Sequence, residues 1–107
     1  MNGFVEYVLR DALGQVRGVT ARAMFGGHGL YRDGVIFGLI ADDELYFKVD
    51  AKNLPEYRKR GSRPFTYGGR NGKRITMSSY WEVPAEILED RRALEKWVEA
   101  SVRATKR

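Results

Sequence analysis

His28 is the one histidine of the chain, and it stands in the glycine-rich run Gly26-Gly27-His28-Gly29. An imidazole can act as a general base, or as a metal ligand, near neutral pH. Either role needs partner groups converging on it, and a lone histidine more commonly packs or donates one structural hydrogen bond. With Tyr31 nearby in sequence, His28 marks the one place where a small-molecule site or an enzyme centre would be sought. Asp42-Asp43-Glu44 suggests a hard cation, yet it lacks the spaced ligands and the glycine of a calcium loop and reads as a solvated turn. Ser62, Ser78, Ser79 and Ser101 have no nucleophile-elbow context. The chain has no cysteine, which removes disulfides, thiolate metal sites and cysteine nucleophiles and suits a reducing, cytoplasmic setting. No catalytic residues, metal or cofactor are therefore expected, and the chain reads as a non-enzyme.

Glycines beside His28 raise the idea of a phosphate cradle. That motif needs a following Gly-Lys-Ser/Thr and a helix N-terminus, and here a strand follows. Gly69-Arg70-Asn71-Gly72 matches the clamp loop of a KH domain in letters only, because its flanks read as strands.

Charge is the stronger signal. Between Tyr57 and Trp81 there are seven basic residues, Arg58, Lys59, Arg60, Arg63, Arg70, Lys73 and Arg74, and no acidic one. The whole chain has 19 basic and 14 acidic residues, so the remainder holds 12 against 14 and a net charge of −2. All of the positive excess thus sits in this window. Phe65, Tyr67 and Tyr80 are interleaved with it, the mixture that phosphates and stacked bases would use. The same composition also suits a solvated hairpin whose long side chains shield a sheet edge. The seven basic residues are the candidate surface for DNA or for a protein partner.

The elements that must position these groups follow from periodicity. Phe4, Val5, Val8, Leu9, Ala12, Leu13 and Val16 recur at helical spacing, with Asn2 as N-cap, Gly14 as left-handed C-terminal residue and Glu6–Arg10 as an i,i+4 pair. A strand spans about Val19 to Phe25, and Gly26 to Gly29 form a bulge or tight bend. Asp33-Gly34 between Leu30-Tyr31-Arg32 and Val35-Ile36-Phe37 predicts a two-residue hairpin, and Asp42-Asp43 a second turn. Leu45, Phe47 and Val49 alternate with Tyr46 and Lys48, the period of a half-buried strand.

Asn53-Leu54-Pro55-Glu56 has the form of a capping box opening a short helix that stops at Gly61. Phe65–Tyr67 and Ile75–Val83 are strands joined through Asn71-Gly72, with Ile75, Met77, Trp81 and Val83 sharing the core-facing parity. Asp90 caps a last helix whose stripe is Leu94, Trp97, Val98 and Val102, with Glu99–Arg103 exposed and residues 104–107 fraying. The order is one helix, four strands, helix, two strands, helix. That is an α+β fold, a two-layer antiparallel sheet packed by helices, in one domain over 1–107.

At 107 residues such a chain buries enough surface to fold without staples, and 43% apolar residues are those of a globular domain. Neither a secretory leader nor an apolar run of membrane-spanning length is present, so no membrane partner is expected.

Arg22-Ala23-Met24-Phe25-Gly26-Gly27-His28-Gly29-Leu30-Tyr31, Gly34-Val35-Ile36-Phe37-Gly38-Leu39-Ile40-Ala41-Asp42, Leu45-Tyr46-Phe47-Lys48-Val49-Asp50, Pro64-Phe65-Thr66-Tyr67 and Tyr80-Trp81-Glu82-Val83-Pro84 together resemble the N-terminal domain of the TfoX/Sxy family. The resemblance covers nearly the whole chain. It implies a secretion-chaperone-like α+β fold and a bacterial, cytoplasmic regulatory or interaction module. The family's regulators of natural competence are thought to act at promoters with the cyclic-AMP receptor protein, and they carry a further helical C-terminal domain that this chain is expected to lack. No catalytic residues come with the resemblance. Expected partners are a protein of the transcription machinery or a regulator, DNA, and a second copy in a homodimer.

Overall fold

The structure, a computed structural model, describes residues 3–24 and 26–106, with Arg70 described by its backbone alone. Its strands are β1 (Val19–Met24), β2 (Gly27–Arg32), β3 (Val35–Ala41), β4 (Glu44–Lys48), β5 (Pro64–Gly68) and β6 (Arg74–Glu82). Its helices are α1 (Gly3–Tyr7), continued by a π-helical turn over Val8–Ala12, α2 (Leu54–Lys59), α3 (Ala85–Leu88) and α4 (Arg91–Lys106). The expected α+β architecture is present, with α3 as an extra one-turn helix between β6 and α4.

All six strands form one antiparallel sheet in the order β1-β2-β3-β4-β6-β5. The meander β1–β4 follows from its turns. Asp33 and Gly34 take φ of 50° and 83°, and Asp42 and Asp43 take 50° and 58°. Two consecutive positive φ values are what a hairpin turn matching the strand twist requires. The chain then leaves β4 through α2, reaches the sheet edge as β5 and returns as β6 to pair with β4.

One face of the sheet meets the helices. Leu30, Phe37, Ile40, Leu45, Phe47 and Val49 join Val5 and Val8 of the N-terminal helix, Tyr57 of α2, Ile87 of α3 and Leu94 and Val98 of α4 in a single core. Phe37 and Phe47 meet edge-on, ring centroids 5.4 Å apart and 73° between planes. Among the described residues no helix covers the opposite face.

Several local expectations are corrected. The first helix ends by widening: the Leu13 amide donates to the Val8 carbonyl at 2.8 Å, five residues back, so Ala12 and Leu13 both turn into the core. Gly14 is accordingly not a left-handed cap, and its value is clearance, since a Cβ there would strike the Arg10 carbonyl. Glu6 and Arg10 form no ion pair, and neither do Glu99 and Arg103. Asn2 and Phe25, given as N-cap and strand end, lie outside the described residues.

The bend before β2 is at Gly26, φ 80°, while Gly27, His28 and Gly29 lie within β2 and the bulge falls between Leu30 and Tyr31 against β3. Asn53 stands at the N-cap of α2, as expected, but its side chain does not cap the helix. Its Oδ1 accepts from the Asp50 amide at 2.7 Å and its Nδ2 donates to the Lys48 carbonyl at 3.1 Å, which fixes the exit from β4 instead. The chain end does not fray over Ala104 to Lys106: α4 runs to Lys106, Ala104 is buried, and the Thr105 hydroxyl donates to the Ile36 carbonyl at 2.6 Å, beside the bulged stretch of β3. The expected cap at Asp90 is present, its Oδ1 accepting from the Ala93 amide at 3.1 Å.

Candidate binding interface

The hairpin β5–β6 carries the site, and its register explains which side chains it exposes. Pro64 pairs with Trp81 but Phe65 pairs with Met77, so Ser78, Ser79 and Tyr80 have no partner on β5 and the alternation of β6 changes phase there. Trp81 and Val83 stay with the core. Ile75, expected to face the core through shared parity, instead pairs with Tyr67 and is 42% exposed. Tyr67 is 38% exposed.

Aromatic rings link this exposed tip to the helix-free face. Phe65 lies 4.8 Å from Tyr46 and 5.7 Å from Tyr67, the latter pair nearly parallel at 26°. Tyr46 alternates with Leu45 and Phe47, which face the core, so it must point to the other side. Burial raises the Tyr46 phenol, Glu44 and Asp42 add to the rise, and the Arg63 and Arg74 guanidiniums partly offset it. Those two cations therefore stand near one end of the ladder Tyr46–Phe65–Tyr67. Arg74 also donates through Nη2 to Thr66 Oγ1 at 2.7 Å, reaching across to the edge strand, and Lys73 is exposed on the same hairpin.

The basic window does not converge as a whole. Arg60 belongs to the helix layer: it pairs with Glu86 of α3 at 3.2 Å and Glu56 at 3.7 Å, and its guanidinium lies 5.7 Å from the Trp97 ring centre. Arg58 sits 5.9 Å from the core-side Trp81 ring. Lys59, last in α2, is exposed. Arg63 is mostly solvated, with Glu82 at 3.8 Å. The side chain of Arg70 lies outside the described residues. One set of cations thus flanks the helices, and another, Arg63, Lys73 and Arg74, belongs to the hairpin.

Tyr80 is no open stacking platform, being 8% exposed with Lys48 Nζ 5.3 Å from its ring centre. Burial, then Tyr31 nearby, raises its phenol. Arg22 covers Tyr31 in the same way at 5.7 Å. The chain pattern assigns neither Tyr46 nor Ile75 to the site, and it places Ile75 in the core. Tyr46 is legible as the outward partner of two core residues, whereas the exposure of Ile75 depends on the register shift.

His28 lines a cleft of about 280 Å³ with Gly26, Gly27, Ile40, Ala41, Asp42 and Asp43. Its Nδ1 is buried without a hydrogen-bond partner. Among the described residues no group of three His, Cys, Asp or Glu side chains is placed to hold a metal ion. Nor is any described helix long and apolar enough to cross a membrane.

A model of the TfoX N-terminal domain matches residues 11–105, which span both the meander and the hairpin. The chain belongs to the TfoX N-terminal domain family. Among curated proteins, none matches the sequence.

Proposed function

We propose that this chain is a non-enzymatic regulatory module, related to the competence regulators of its family, that acts by docking through the helix-free sheet face and the β5–β6 hairpin. The observation that carries this is the exposed Tyr67–Ile75 pair, held on a ladder of packed rings and set beside cations that the helix layer does not neutralise. An exposed apolar patch edged by charge is a common mark of an interaction surface. The partner class that the resemblance to competence regulators implies is a protein of the transcription apparatus, or the nucleic acid it works on.

Site-specific photocrosslinking in a bacterial host tests the surface. A photoreactive residue at Tyr67 should capture a defined partner set, and the same probe at exposed Arg92 of α4 should not. Equal capture from both positions would remove the hairpin as the docking surface.

A further inference from the structure

We propose that the tip of the β5–β6 hairpin binds single-stranded nucleic acid, an unpaired base lying on Tyr67 and Ile75 while Lys73, Arg74 and Arg63 hold the flanking phosphates. This narrows the docking surface proposed above to one partner chemistry and rests on that reading.

Three features favour an occupant with flat apolar faces and a regular negative charge. Tyr67 is preorganised: Phe65 packs nearly parallel against it at 5.7 Å and is itself braced by Tyr46 at 4.8 Å. The ring therefore has little freedom left to lose on binding. Its exposed surface continues directly into Ile75, its cross-strand partner, giving a hydrophobic shelf with both residues more than a third exposed.

The second feature is the sign and placement of charge. From Pro64 to Trp81 there is no acidic residue, Lys73 immediately precedes β6 and Arg74 opens it beside the shelf, and Glu82 lies 3.8 Å from the mostly solvated Arg63. A second copy docking tip to tip would bring these cations together, which disfavours a symmetric dimer here. Third, β5 is the outer strand of the sheet, so a backbone laid along it meets no neighbouring strand. A duplex keeps its base faces stacked inside and would engage the cations alone. An unpaired strand can use ring and cation together.

Fluorescence anisotropy on the full chain distinguishes these cases, using a labelled 12-nucleotide oligo-dT, a duplex of the same length and a poly-glutamate peptide at about 50 and 200 mM salt. Oligo-dT should bind more tightly than either of the others. Tyr67→Ala should weaken oligo-dT binding by roughly five- to a hundredfold, the value of losing one stacked base, with the salt slope kept. Tyr67→Phe should stay within about twofold, since the ring is retained. Lys73→Gln with Arg74→Gln should instead flatten the slope by about 1.4, two phosphate contacts on a single strand.

Equal binding of duplex or poly-glutamate, or a Tyr67→Ala variant that binds oligo-dT as the parent does, overturns the proposal. Circular dichroism of each variant shows whether the fold is kept. If Tyr67→Ala does not fold, Ile75→Asn, with an expected loss of similar size, takes its place. Failure here alongside specific photocrosslinking at Tyr67 would leave the docking surface standing with a protein partner. Failure of both would remove the surface itself.

Discussion

Replacing Tyr57 by Phe should stabilise the protein, and more so in alkali. Tyr57 is 1% exposed and Ser101 of α4 is 0% exposed; the two hydroxyls are close enough for Ser101 to act on the phenol, but neither makes a well-formed hydrogen bond. The phenol ring packs on Trp97 with centroids 4.5 Å apart, a contact that Phe preserves. A hydroxyl buried without a well-made hydrogen bond costs about 1–3 kcal/mol, so removing it should return about 1 kcal/mol at pH 7. In a domain of this size that raises Tm by about 4 °C.

The pH dependence follows from burial, which pushes the Tyr57 phenol far up while the neighbouring Ser101 hydroxyl offsets it slightly. In the unfolded chain the phenol ionises near pH 10, and in the fold it stays protonated. Its contribution is therefore complete below pH 10 and is lost as pH climbs towards the raised folded value, at about 1.4 kcal/mol per pH unit. Tyr57→Phe removes that loss, so its advantage should grow to about 2 kcal/mol at pH 11. Urea titrations followed by far-ultraviolet circular dichroism at pH 7 and 11 read both numbers. A variant less stable than the parent by 1 kcal/mol or more at pH 7 refutes the reasoning, because the hydroxyl must then be bonded in solution. Ser101→Ala and the double variant complete the cycle. Additive gains fit two unbonded hydroxyls, whereas single losses that the double variant recovers fit a bonded pair.

Three further outcomes are expected. Thr105→Val should cost about 1 kcal/mol, since the Ile36 carbonyl loses its donor, and hydrogen exchange should rise at the end of α4 before it rises elsewhere. Gly34→Val places a β-branched residue at φ 83° and should lower stability by at least about 1 kcal/mol by urea titration, whereas Gly34→Asn should cost far less. Asp90→Ala removes the cap from α4 and should cost about 1 kcal/mol, visible as a lower Tm.

What the chain pattern revealed was what local chemistry decides. The Asp33-Gly34 and Asn71-Gly72 pairs carry positive φ in the fold, as such pairs favour. The alternation of Leu45, Phe47 and Val49 put three residues into the core, and Asp90 marked a helix start. Where the pattern misled, a longer-range partner had claimed the group. The Asn53 side chain is drawn back to Lys48 and Asp50, and so cannot cap its own helix. The last turn of α4, polar enough to fray, is held by a carbonyl at the β3 bulge sixty-nine residues away.

The basic window shows the same limit at the site. Its charge was legible, because charge is a property of composition, but the faces it occupies were not. α2 turns Arg58 and Arg60 towards Trp81, Trp97 and Glu86, where attraction within the domain competes with attraction to any partner. The register shift between Pro64 and Phe65 then changes the phase of β6, and Ile75 moves from the core to the surface beside Tyr67. Neither change alters the sequence spacing of a single cation. The hairpin set differs from the α2 set in having an exposed aromatic shelf and, at Lys73 and Arg74 beside it, no ion pair, Glu82 reaching only Arg63. Those two properties together, rather than the count of basic residues, make the hairpin the better candidate for a bound strand.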